Sequence, residues 1–299
     1  MDSWIPITVF AAAMQSVRTA IQKKLVGRVS ANGASFDRFL YGAPWAVAAF
    51  LALVHFAGAP IPSFNDVFLV HIAIGGVAQI AATTLLIQAF TLRNFAVGTT
   101  YSKTEVIQTA IFGAILLGET PATLVWVAIL VSLVGVLFLA KPPKASFGET
   151  LAALKEPAAL VGLGAGAFFA VAAVTIRKAS LSLDVGDFAT RALFSLSVMN
   201  CIQIVVMAIY LRWREPGQIS KVIEHWRPSV LVGLTSFAGS AGWAMAMTLQ
   251  SAAYVRALGQ VELIFALLFT RFWFRESMRA SEALGIVLVV VGLLGVVLA

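Results

Sequence analysis

Long apolar stretches, each about as long as a bilayer is wide, follow one another along the chain with only short polar interruptions. A helix needs about 20 mostly apolar residues to cross the hydrocarbon. Ten windows qualify: 4–22, 36–57, 67–91, 95–118, 122–140, 158–176, 187–211, 228–250, 253–274 and 281–299. The pattern predicts an all-α membrane protein of ten transmembrane helices, with no room between windows for a soluble catalytic domain. The first window reads as a span and not as a cleaved leader: no basic region precedes it, and its apolar run ends at Lys23 and Lys24 without a small-residue cleavage site.

Composition agrees with the pattern. Hydrophobic residues make up 60% of the 299 and charged residues 12%, and the mean hydropathy is +0.92, far from a soluble domain. The net charge of +7 raises the question of nucleic acid. Lys and Arg gather at span ends, however, where lipid headgroups lie, and form no single patch, so a nucleic-acid role is rejected. Cys201 stands alone and is expected to pack as a small buried hydrophobe. His55, His71 and His225 are isolated, and no His, Cys, Asp and Glu group has metal-ligand spacing. No phosphate-binding glycine loop or nucleophile elbow is visible. Neither metal, cofactor nor catalytic residue is expected, and the chain does not read as an enzyme.

A shift of 157 residues matches Gly76 with Gly233, Leu92 with Leu249, Glu105 with Glu262, Ile107 with Ile264, Phe112 with Phe269, Glu119 with Glu276 and Gly135 with Gly292. Apolar identities are cheap in this composition, so the paired glutamates carry the weight. Earlier in each half the match is looser, with Arg38 corresponding to Arg191. The sequence thus divides into a first five-helix repeat at 1–140, a linker at 141–157 containing KPPK, and a second repeat at 158–299. Five is odd, so the second half enters the membrane from the opposite side. This predicts two inverted repeats, an arrangement that transporters use to hold cargo near mid-membrane and alternate access.

Ten spans in two halves, each with a buried Glu and a terminal Glu (Glu105 to Glu119 in LLGE, Glu262 to Glu276 in WFRE), resemble the EamA group of the drug/metabolite transporter superfamily. The resemblance covers the whole chain. It implies an inner-membrane exporter or exchanger of amino acids, other metabolites or drugs. The family often has Pro directly after the first Glu. Here Val106 and Leu263 stand there, so the residues give no helix-breaking signal at that point.

Glu105 and Glu262 fall near mid-membrane, where an ionised side chain facing lipid costs at least about 3 kcal/mol, so both must face protein or water. They are candidates for a proton site, for a cargo contact, or for hydrogen bonding that holds the helices together. On a continuous helix Tyr101, Glu105, Gln108 and Phe112 share one face while Lys103 points away from it. In the second half, Arg256 and Gln260 share a face. Lys103, Arg256, Gln260, Tyr101 and Gln108 are the candidate substrate-binding residues, against the alternative that the two cations snorkel or pair with acids. Trp243 joins them because it lies deep in GSAGWAMAM, where Gly239 and Gly242 permit close helix approach. Arg18, Arg38 and Arg191, a turn or two from span ends, are expected to snorkel.

Lys and Arg crowd the connections after odd-numbered spans, as in Lys23, Lys24 and Arg28 or Arg212, Arg214, Lys221 and Arg227. The positive-inside rule then places both termini outside the cytoplasm, although the family resemblance suggests termini inside. Arg18, Arg38, Lys103, Arg191 and Arg256 outnumber Glu105 and Glu262 within the spans, which points to cargo with a carboxylate or another anionic group, a zwitterionic amino acid included. The expected partners are a small-molecule substrate, membrane lipid and, given the two carboxylates, protons; with no ATP motif, the energy should come from a gradient. Two alternatives remain: a flippase of a lipid-linked headgroup, and a non-transporting membrane partner or sensor.

Overall fold

The structure is a computed structural model that describes residues 3–25, 28–92, 101–140, 157–265 and 280–299. Glu276, Phe269, Trp273 and most of the 141–157 linker fall outside the described residues. Those described are overwhelmingly helical: α1 (Trp4–Leu25), α2 (Ala31–Ala57), α3 (Asp66–Leu92), α4 (Glu105–Leu117), α5 (Thr123–Ala140), α6 (Pro157–Ser182), α7 (Phe188–Arg214), α8 (Gln218–Glu224), α9 (Trp226–Leu249), α10 (Ala252–Leu258) and α11 (Ala280–Val297). Among the described residues, five helices are long and apolar enough to cross a membrane, Ala31–Ala57, Asp66–Ala89, Ala159–Ser182, Phe188–Arg214 and Trp226–Leu249. Glu105–Leu117, Thr123–Phe138 and Leu284–Val297 are shorter apolar helices.

The chain forms two compact units, each drawing on both repeats: Met1–Ile80 with Ala172–Ser251, and Ala81–Val171 with Ala252–Ala299. In the first, α2 packs on α7 and α9, and α1 packs on α9. A core of Phe36, Phe39, Met207, Leu211 and Val222 joins α2, α7 and α8. The α1–α9 contact is close because a Cβ on Gly242 would sit 2.9 Å from Ala11 Cβ, the small-residue approach that GSAGW suggests. The termini of α2 and α7 are fixed by polar groups. Ser30 caps α2 by accepting from Gly33 N, and its hydroxyl, with the Asn32 amide, donates to Glu215 at the end of α7. Asp187 caps α7 by accepting from Thr190 N at 2.8 Å.

In the second unit α5 packs on α11 through repeat mates. A Cβ on Gly135 would lie 2.7 Å from Gly285 O, and one on Gly292 would lie 2.7 Å from Ala128 O. Residue 135 therefore faces 285–289 while 128 faces 292–295, so the two repeat-related helices run antiparallel, as an inverted repeat requires.

Three expectations need correction. The windows at 95–118 and 253–274 are not continuous helices: the first turns at 103–104, the second at 259–260. Cys201 is exposed on α7, not buried, because it falls on the side of the helix away from its packed neighbours. Arg18 does not snorkel but is buried, and neither does Arg38. The Arg38 side chain is buried, with Nε donating to Ser236 Oγ at 3.2 Å and Nη2 donating to Ser240 Oγ at 3.5 Å, since α9 supplies the hydroxyls that water would otherwise replace.

Candidate functional site: buried charges at two helix breaks

Both breaks arise from local backbone chemistry and need no proline. In the first repeat Thr104 turns its hydroxyl back to Tyr101 O at 2.7 Å, a side-chain bond that competes with the helical ladder. The bonds there tighten to three-residue spacing, with Thr104 N donating to Tyr101 O and Val106 N to Lys103 O. In the second repeat the weak helix former Gly259 opens the turn, and Gln260 N, Glu262 N and Leu263 N each donate three residues back. Gly166 of α6 lies against the first break, where a Cβ would come within 3.0 Å of Ser102 O and 3.1 Å of Glu105 N.

The breaks place four charges together, three buried and Glu262 partly buried. Lys103 Nζ donates to Glu262 Oε2 at 2.7 Å, with the two side chains 8% and 14% exposed. Arg256 Nη1 lies 3.6 Å from Glu105 Oε1, with the two 8% and 10% exposed. Each pair takes its cation from one repeat and its anion from the other, and the group sums to zero. Coulomb attraction in such surroundings is strong, yet desolvating four charges costs much of it. The arrangement is therefore better explained as a positioned set of charges than as a stabilising device. It also changes the charge balance read from the sequence: the two cations nearest the breaks are matched by the two carboxylates.

Seven of the eight residues singled out by sequence belong to this unit. Tyr101 is buried at the head of the first break. Gln108 donates through Nε2 to Thr104 Oγ1 at 3.2 Å. Gln260 is buried beside Glu262, and the amide oxygens of Gln108 and Gln260 accept no hydrogen bond among the described residues. Trp243 belongs to the other unit, where its indole N–H donates to Gln15 Oε1 at 3.0 Å. Sequence reasoning missed Gly166 and Asp37. The second was detectable by the test that found Lys103, a charge inside an apolar window. Among the described residues, no group of three or more His, Cys, Asp and Glu side chains is placed to hold a metal.

Helices broken at buried charges, in a helical fold whose repeat-related helices α5 and α11 run antiparallel, mark the general design of membrane transporters. The family model of the EamA-like transporter family matches residues 2–141 and again 156–298. The chain belongs to that family, within the drug/metabolite transporter superfamily. No curated protein matches by sequence. A crystal structure titled only as that of a protein superposes with a TM-score of 0.76 at 16% identity, covering 99% of each chain, a likeness of fold alone.

Proposed function

We propose that the protein is a secondary transporter, an exporter or exchanger of a small carboxylate-bearing metabolite such as an amino acid, working by alternating access across ten spans of the inner membrane and driven by a proton gradient. Both termini lie outside the cytoplasm, by the Lys and Arg distribution. The observation that carries the reading is the neutral quartet of Lys103, Glu262, Arg256 and Glu105 at the two breaks. A zwitterion brings one carboxylate and one ammonium. It can exchange partners with one cation and one anion of the quartet without changing the buried charge, whereas a lone anion would leave a glutamate uncompensated. The free acceptors on Gln108 and Gln260 suit N–H donors on the same cargo.

The test is saturable uptake and efflux in proteoliposomes with a panel of neutral, acidic and basic amino acids, simple carboxylic acids and amines. Zwitterions should move best. Movement of simple carboxylates with no zwitterion transported would sink the zwitterion reading, and movement of a labelled lipid alone would favour the flippase.

A further inference from the structure

Asp37 is the buried carboxyl that the quartet does not explain. It sits two turns into α2, in the first unit, and is 1% exposed. Neither carboxyl oxygen has a hydrogen-bond partner among the described residues. The adjacent cation does not serve it: Arg38 is committed to Ser236 and Ser240 on α9 and lies 5.0 Å from the Phe39 ring centre. The elements packed on α2 are α7, α8 and α9. From α9 the carboxyl is faced by Ser229, whose hydroxyl donates to His225 O at 2.8 Å. From α2 itself Tyr41 interacts with it. The charges of α8, Lys221 and Glu224, are exposed, as are Arg212 and Arg214 of α7 and Arg227 of α9. Glu215, just past α7, is held by Ser30 and Asn32. Gln22 ties α1 to Ala34 O, and the buried cation of α1, Arg18, makes no hydrogen bond to the Asp37 oxygens.

We infer that Asp37 is a proton-binding site, a carboxyl that takes up and releases H⁺ apart from the ion-paired Glu105 and Glu262. A group that carries a proton must be able to exist both with and without it. Protonating Glu262 breaks its bond to Lys103 and strands a buried ammonium. Protonating Asp37 costs only a weak approach by the Ser229 hydroxyl, which is already donated to His225 O. The balance is simple: one proton adds to one carboxylate oxygen and leaves again, with no other bond changed. Assigning this proton to transport rests on the transporter reading above.

The test is infrared difference spectroscopy of the purified protein across about pH 5 to 8, where exposed carboxyls remain ionised. A C=O band of a neutral carboxyl should appear as the pH falls. It should shift when the protein is made with carbon-13 aspartate, and vanish in Asp37→Asn while persisting in Glu262→Gln. The labelling runs on the unaltered chain and decides the matter even if Asp37→Asn fails to fold. The idea is overturned by a band that ignores the aspartate label, by one that survives Asp37→Asn, or by no band at all. The measurement needs no cargo, so a failed transport panel leaves it standing.

Discussion

Lys103 reaches Glu262, 2.7 Å away, although the repeat gives the two residues different mates, Gln260 and Glu105. Strict symmetry would put Gln260 against Glu105. Arg256, one turn earlier, occupies that role instead, 3.6 Å from the carboxylate. The carboxylates are therefore symmetric and the cations are not. A fold needs only the matched residues, while an asymmetric cargo needs the unmatched ones.

The first prediction separates the two pairs by stability. Glu262→Gln leaves the Lys103 ammonium buried without its charge-assisted bond and should cost about 3–5 kcal/mol, the range for a broken buried pair. Glu105→Gln disrupts the longer contact and should cost less. The double change Lys103→Met with Glu262→Met should recover most of the loss. Thermal melting in detergent of all three reads this directly; equal melting of Glu262→Gln and the parent chain would show the pair to be idle.

Much of this site is legible in the sequence. The offset that matched Glu105 with Glu262 marked the two places where the charges gather, each just behind a break that only the structure reveals. What the sequence hid was the register across the repeats. Helical geometry put Lys103 and Glu105 on different faces but carried no information about which carboxylate from the other half would meet Lys103. The breaks were hidden too, since the signal sought was a proline at Val106 and Leu263, whereas Thr104 and Gly259 supply the turns. Arg38 and Arg191 looked alike because spacing from a span end does not reveal whether a neighbouring helix offers hydroxyls.

The second prediction tests the antiparallel contact of α5 and α11. Gly135→Ala drives a Cβ to 2.7 Å from Gly285 O and 2.9 Å from Val289 N, backbone atoms that cannot rotate away. It should destabilise by about 1–3 kcal/mol, as overpacking does. Gly164→Ala is the control. Its Cβ meets only Leu85 Cδ1 at 3.6 Å, so the helix gains about 0.5–1 kcal/mol from the lost glycine. Opposite shifts in melting temperature are expected; shifts of the same sign would refute the packing.

The third prediction concerns acid. Hydrogen bonds from the Thr190 hydroxyl and backbone N–H hold the Asp187 carboxyl below its ordinary range. A depressed folded value means the cap's electrostatic contribution is complete above the unfolded aspartate value of about 3.9 and fades as pH falls through the lower folded one. Asp187→Ala should cost about 0.5–2 kcal/mol near neutral pH, with the gap to the parent chain closing toward pH 2. Asp187→Asn keeps an acceptor and should show a smaller deficit. A gap that holds constant down to pH 2 would remove the ionised cap from the account.

The last prediction uses the unequal arginines of the two repeats. Arg38 is buried, bonds Ser236 and Ser240 and covers Phe39, so it holds α2 to α9. Arg191 bonds a single loop carbonyl, Gly186 O at 2.8 Å, from a half-buried position at the start of α7. Removing a buried guanidinium leaves hydroxyls facing empty space and loses charge-assisted bonds worth about 1.5–3 kcal/mol each. A part-buried bond to a loop is worth less than that. Arg38→Gln should therefore lower the melting temperature several degrees more than Arg191→Gln, although sequence repetition pairs the two residues. Arg38→Lys should recover little, because an ammonium cannot match the planar fork that reaches both serines. Full recovery by lysine would mean that Arg38 acts as a point charge, and that the two serines do not fix the contact between α2 and α9.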